Sequence, residues 1–306
     1  MRKEFSNIIE KLGTEDDKIV FLTGDLGFNA LENLQKTLGP RFINVGIAEQ
    51  TMVGIAAGMA HKGYKVFCYS IAPFTTFRCL EQIRIDVCFH KLPVFIVGNG
   101  GGYGYGIMGS THHALSDIAC MSSLPDMTCY VPAFSDEVEL SVKKILAENM
   151  PAYLRLEVSK NSPVMQEEPM QGIHTIFDPE DAEMTVIALG PIINNVLSAI
   201  ENTDSKNKIA LFSAVKIPFD KMNDKFISSI RKTKKLLVVE EHVARGGFGE
   251  YIALDLLNRD IHFDKFQSLC AMYYPNGLYG NQGYHQVQSG LDAGNIQRII
   301  KEWLNG

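Results

Sequence analysis

The stretch NVGIAEQTMVGIAAGMAHKG, residues 44–63, carries one carboxylate, Glu49, at the head of a helix-length run of Gly, Ala, Ile, Val and Met. An acid among such side chains is shut off from water and needs a partner. It also lies where a helix N-terminus favours negative charge, so the dipole alone could account for it. A second chemical stretch is VGNGGGYGYGIMGSTHHALSD, residues 97–117, which ends in Thr111-His112-His113. Histidines that follow a Gly-rich loop at the carboxyl end of a strand stand where α/β folds place proton-transfer groups; a local hydrogen-bonding role for the pair is equally open. Gly104-x-Gly106-x-x-Gly109 formally matches a dinucleotide fingerprint. The loop lies mid-domain and runs into histidines instead of toward an acid at the end of the next strand, which argues against NAD or FAD. No third ligand at recognisable spacing suggests zinc.

These groups need a scaffold. Short β-branched or aromatic runs at 19–23, 42–45, 65–69, 93–97, 128–131 and 152–156 alternate with helix-length segments at 31–38, 48–62, 75–89 and 135–148. The alternation predicts parallel sheets covered by helices. Residues 158–183, with three prolines and no clear period, read as a break. A second series follows, with strands at 184–189, 208–213 and 236–240 and helices at 192–201, 220–232, 248–258 and 292–304. The expectation is an α/β protein of two parallel or mixed-sheet αβα sandwich domains, 1–160 and 184–306, joined by a linker at 161–183.

Composition sets the limits. With 306 residues the chain can bury roughly three-quarters of its unfolded surface. A net charge of −6 without a basic stripe gives nucleic acid no electrostatic footing. No apolar run of about 18 residues is present to span a bilayer, and the N-terminus does not lead into a signal-peptide core, so a cytoplasmic location is expected. The six cysteines form no Cys-x-x-Cys pair and read as reduced core residues.

Taken in order, RFINVGIAEQTMVGIAAGMAHKGYKVF, APFTTFRCLEQIRIDV and GSTHHALSDIACMSSLPDMTCYVPAFSDEVE resemble the pyrimidine-binding domain of the transketolase family of thiamine-diphosphate enzymes, and the part from Thr185 onward resembles that family's C-terminal domain. The resemblance implies thiamine diphosphate as cofactor. By it, Glu49 hydrogen-bonds the pyrimidine ring and serves proton transfer, and the apolar run, Ile47 included, keeps water away. Phe74 and Phe77 match an aromatic pair that encloses the aminopyrimidine, with Pro73 in place of the family's leading Thr. His112 matches the catalytic-site His of a Gly-Pro-Thr-His motif, here Gly109-Ser110-Thr111-His112; His113 has a counterpart only in some branches.

The family's diphosphate and metal motif is missing: Gly24-Asp25-Leu26 is too far from Asn194-Asn195, and in the wrong order. The resemblance therefore implies a separate N-terminal transketolase-like subunit that supplies the diphosphate and Mg²⁺ (or Ca²⁺) site, with self-association through the pyrimidine domain in an α₂β₂ assembly. Met108 and Gly100 stand where transketolases carry an acceptor-reading Asp and a phosphate-contacting His, and the synthase branch's Arg is replaced at or next to Gly101. Loss of these groups weakens phosphate recognition. Arg155 or Lys160 could still serve a phosphate, or be surface charge. The expected activity is transfer of a two-carbon ketol unit from a ketose to an aldehyde or ketone, including a non-phosphorylated or modified sugar. The alternatives are the β subunit of a 2-oxoacid dehydrogenase first component and a non-catalytic assembly subunit.

Overall fold

The computed structural model describes residues 1–26, 31–163, 171–201, 203 and 205–305. Its strands are β1 (Ile19–Thr23), β2 (Phe42–Asn44), β3 (Lys65–Ile71), β4 (Val94–Asn99), β5 (Thr128–Tyr130), β6 (Ala152–Leu156), β7 (Ile173–Phe177), β8 (Met184–Leu189), β9 (Ile209–Ala214), β10 (Lys216–Ile217), β11 (Lys235–Glu240) and β12 (Lys265–Leu269). They form two sheets, ordered β10-β5-β6-β4-β3-β1-β2 and β12-β11-β8-β9-β7. Pairing is parallel except for β10 on β5 and β7 on β9. β1, β6, β8 and β9 are buried at every residue. Strands covered by helices on both faces demand such continuous apolar runs.

The helix Arg2–Glu15, which the strand–helix rhythm did not suggest, covers one face of the first sheet. Phe5 from this helix packs 6.0–6.2 Å, centroid to centroid, from Phe21, Phe67 and Tyr69. The opposite face receives the helix Glu49–Ala60, whose Met52, Val53, Ala56, Ala57 and Ala60 are buried at helical spacing. The expected helix at 75–89 is instead a broken rod: an α-turn at Ala72–Thr76, a 3₁₀ turn at Phe77–Cys79, an α-turn at Leu80–Gln82 and a π-helical stretch at Ile83–Cys88. Breaks of this kind reorient side chains at functional sites. Here they fall at Phe77 and Arg78.

Three strands, β7, β10 and β12, lie outside the expected pattern, and one of them, β10, ties the halves of the chain together. β10 comes from the second half of the chain yet pairs with β5 of the first sheet. β7 falls inside the expected linker and forms the antiparallel edge of the second sheet. Between the sheets lies a buried charge cluster: Arg155 Nε stands 3.2 Å from Asp117 and 3.3 Å from Glu157, and its Nη2 donates to the carbonyls of Ala114 and Glu241.

Candidate active site

The carboxyl ends of β1, β3 and β4 converge where parallel sheets present ligand sites. Beyond β1, Asn44 Oδ1 accepts from Asp25 N at 3.0 Å and from Gly46 N at 2.9 Å, and its amide donates to Asp25 Oδ1 at 3.1 Å. With Gly46 at φ +73°, this network sets the turn that delivers Glu49 to the first turn of its helix. Glu49 is 4% exposed. Its Oε1 accepts a long bond of 3.3 Å from Ser70 Oγ, at the end of β3, and its Oε2 pairs with Arg78 Nη1 at 3.2 Å. The Arg78 guanidinium also lies 3.8 Å over the ring of Phe74. Beside the carboxylate opens a cleft of about 410 Å³ lined by Ile47, Ala48, Glu49, Gln50, Thr51 and Arg78. Ile47 is 80% exposed there, an apolar side chain presented to whatever fills the cleft.

His112 joins this group from the Gly-rich loop. Its ring meets Phe74 edge to face at 5.1 Å and Tyr105 at 5.8 Å, and Nδ1 lies 2.9 Å from Thr111 Oγ1. Tyr105 is held in turn by Asn99 at the end of β4, at 2.8 Å. Gly100 starts the loop at φ +73°, and a Cβ there would strike the Tyr105 ring at 2.2 Å, so glycine is required for close packing as well as for conformation.

The remaining sequence-predicted residues fall into three settings. Phe77, 38% exposed, sits at the helix break beside Arg78, and Met108, 54% exposed, closes the short turn Gly106–Met108 at the loop's tip. His113 turns inward. Its Nε2 lies 2.6 Å from the Gly106 carbonyl and its Nδ1 2.8 Å from the Tyr274 hydroxyl. A carbonyl only accepts, so Nε2 carries the proton and the phenol donates to Nδ1. Burial holds this imidazole below its ordinary pKa, hence neutral. Both nitrogens of His113, expected as a catalytic residue, are engaged within the chain, and there the imidazole braces the loop. Arg155, expected either to serve a phosphate or to be surface charge, is 2% exposed, and its guanidinium pairs with Asp117 and Glu157 in the charge cluster. Lys160 is exposed; its carbonyl receives Ser135 N at 2.8 Å.

A second cleft, of about 520 Å³, lies around β5 and β10 and includes Met127, Glu148, Lys216, Pro218 and Tyr251. Its cation is already neutralised, since Lys216 Nζ bonds Glu148 at 2.8 Å and also bonds Asp220. The smaller cleft is the one lined by a buried acid, Glu49, and by Arg78, which connects that acid to the half-buried ring of Phe74 and through it to His112. Sequence reasoning missed Asn44, Ser70, Arg78 and Tyr105. Arg78 follows the matched Phe77 directly, but nothing local in sequence shows that it meets a carboxylate 29 residues earlier.

A buried acid at converging strand ends, with an aromatic ring and a loop histidine close by, is an arrangement that α/β enzymes use for proton transfer. The chain belongs to the transketolase family: residues 1–162 match the family model of the transketolase pyrimidine-binding domain and residues 174–272 that of the transketolase C-terminal domain. It is 30% identical to an apulose-4-phosphate transketolase subunit of Phocaeicola vulgatus, over 99% of this chain and 97% of that one. It is 28% identical to a 6-deoxy-6-sulfo-D-fructose transketolase subunit of a Clostridium species, over 83% and 79%. The 1-deoxy-D-xylulose-5-phosphate synthase of Clostridium perfringens is 30% identical across 98% of this chain, which spans about half (48%) of that enzyme. A solved structure titled as a split-gene transketolase in an inactive β4 tetramer superposes with a TM-score of 0.82 at 27% identity, covering 99% of this chain and 97% of that one. The transketolase of Leishmania mexicana shares the fold at a TM-score of 0.80 and 17% identity, covering 99% and 45%.

Proposed function

We propose that this chain is the pyrimidine-binding half of a two-component, thiamine-diphosphate-dependent transketolase that moves a two-carbon ketol unit from a ketose to an aldehyde or ketone acceptor. The observation that carries the reading is the placement of the buried Glu49 carboxylate at an open cleft, with Phe74 on one side and His112 against Phe74. The cleft fits the aminopyrimidine end of the cofactor. It offers a carboxylate as proton partner, an aromatic face, and apolar cover from Ile47 and Phe77. When bound, the cofactor supplies carbanion chemistry at its thiazolium carbon. Glu49 would hold and return the proton at the pyrimidine nitrogen, Phe74 would fix the ring's plane, and His112 would move a proton at the substrate oxygen.

Among the described residues, no group of three or more His, Cys, Asp or Glu gathers to hold a metal ion. We assign the diphosphate and its Mg²⁺ (or Ca²⁺) to an N-terminal partner subunit, in an α₂β₂ assembly whose β–β contact involves the Glu49 helix. Relatives of matching length are named as transketolase subunits, which supports a two-chain enzyme. The sugars in their names, apulose-4-phosphate and 6-deoxy-6-sulfo-D-fructose, support a modified sugar here. Among the described residues no helix is long and apolar enough to cross a membrane. All six cysteines are free thiols, as a reducing compartment such as the cytoplasm keeps them.

The test is reconstitution with the partner chain and assay against ketose donors and aldehyde acceptors. Ketol transfer supports the reading. Decarboxylation of pyruvate as the main activity would replace it with a 2-oxoacid dehydrogenase component, and no turnover with cofactor bound would leave an assembly subunit.

A further inference from the structure

The loop that bears His112 is shaped by a segment beyond residue 272, where the matched family model ends. At its base, Gly102 and Ala114 exchange backbone bonds of 2.9 Å. Above that, Tyr103 donates to the Tyr273 carbonyl at 2.8 Å and stacks on His285 at 4.7 Å. Gly106 lies so near Asn281 that a Cβ would stand 3.0 Å from its Cα. These contacts are buried and serve as a brace. Tyr279 differs. It is 50% exposed, its ring passes 3.3 Å from where a Gly109 Cβ would stand, and its hydroxyl lies 3.3 Å from Ser110 Oγ. Its ring packs on Tyr274 at 4.9 Å, and the loop residues that it touches, Gly109 and Ser110, lead directly into Thr111-His112.

We propose that Tyr279 is a specificity-determining residue for the acceptor, with its phenol reading a neutral hydroxyl of the substrate beside His112; this rests on the transketolase reading above. Two observations support it. The bond to Ser110 is long against the 2.7–2.8 Å usual between hydroxyls, so it is readily exchanged for a ligand's. The loop and its brace also carry no cation of their own, since no Lys or Arg stands between Lys91 and Lys143 or between Lys265 and Arg298, and the cations that reach them from elsewhere, Arg155 against Gly101 and Arg78 over Phe74, are paired with Asp117 and Glu157 and with Glu49. Ile107 and Met108 of the loop and Leu278 of the brace are exposed apolar side chains. The acceptor class that this rim fits is a polyhydroxylated aldehyde whose hydroxyl-bearing carbons meet this chain, any phosphate or sulfonate being met by cations from elsewhere in the assembly. A site built to hydrogen-bond a hydroxyl discriminates strongly against the analogue lacking it.

The experiment uses the reconstituted complex and measures kcat and KM for aldoses of three to five carbons and for their terminal-deoxy analogues. Wild type is expected to prefer the hydroxylated acceptor by about tenfold or more in kcat/KM. Tyr279→Phe keeps the ring on Gly109 and is expected to erase that preference through KM, with cleavage of the ketose donor unchanged. Ser110→Ala, which removes only the internal bond, is expected to keep it. The proposal is overturned if wild type shows no preference, if Tyr279→Phe retains it or slows donor cleavage equally, or if Ser110→Ala behaves like Tyr279→Phe, since that marks a brace. A wild-type complex that transfers no ketol unit from any donor overturns the transketolase reading and this inference together.

Discussion

Arg78 reaches Glu49 with an Nη1–Oε2 distance of 3.2 Å while its guanidinium lies 3.8 Å over Phe74, so one side chain engages both groups proposed to hold the aminopyrimidine. With Arg78 47% exposed, the pair itself adds little stability, about 1 kcal/mol or less. Its value lies in orienting the carboxylate. Glu49→Gln is expected to lower turnover of the complex by at least about two orders of magnitude with assembly intact. Arg78→Met is expected to lower it about tenfold, equivalent to about 1.4 kcal/mol, with a small change in melting temperature. Steady-state kinetics and size-exclusion chromatography of each variant check both. Wild-type turnover in Glu49→Gln would remove the proposed proton role.

The adjacent histidines should separate cleanly. His112 lies against Phe74 and Tyr105 on the cleft side, whereas His113 is locked by Gly106 and Tyr274. His113→Phe strands a carbonyl and a phenol, a destabilisation of about 1–3 kcal/mol. Its pH–rate profile should keep the wild-type shape, because His113 stays neutral. His112→Ala should lower kcat at unchanged stability. A lost limb in His113→Phe would show that the second histidine also moves protons.

Arg155 is the cation of a buried cluster that includes Asp117 and Glu157. Its removal leaves those acids without their countercharge, a loss of about 3–5 kcal/mol by analogy with broken buried pairs. Urea denaturation of Arg155→Met should show this as a lowered midpoint. A shift of less than about 1 kcal/mol would mean that the cluster is wetter than its burial implies.

Glu240 caps the helix Phe248–Asn258, accepting from Phe248 N at 2.7 Å and Gly249 N at 2.8 Å, yet burial outweighs these bonds and pushes its carboxyl up to about 7. Glu157 and Glu241 are raised for the same reason, while burial lowers His242. A raised carboxyl binds its proton more tightly in the folded state. Its contribution is therefore fully present below about pH 4.5, is lost as pH rises toward about 7, and is flat above. His242 acts in the opposite sense, losing stability as pH falls. The Glu240→Gln variant isolates one carboxyl: relative to wild type its melting temperature should rise steadily from pH 4.5 to 7 and level off above. A constant offset across that range would contradict the assignment.

Much of this architecture was legible because parallel strands buried on both faces announce themselves. The runs at 19–23 and 152–156 coincide with β1 and β6. Glu49 was legible as an acid in apolar company that needed a partner, although only the fold shows Arg78 and Ser70 beside it. The helix Arg2–Glu15 does carry a helical signal in Phe5, Ile8, Ile9 and Leu12, which a search for strand–helix alternation passes over. β10 has two residues and takes its meaning from β5, which comes from the other half of the chain, and β7 mixes His174 and Thr175 with apolar residues at a sheet edge. Such non-local pairings leave little local trace. Arg155 reads as a surface cation beside Lys160 in sequence because its countercharges come from other elements, Asp117 among them.

The most direct test of a site divided between two chains is calorimetric titration of thiamine diphosphate with Mg²⁺ into this chain alone and into its complex with the N-terminal partner. The account predicts binding in the complex and none to the isolated chain. Tight binding to the isolated chain would place the diphosphate site here, and absence of binding in both would contradict a cofactor role for the Glu49 cleft.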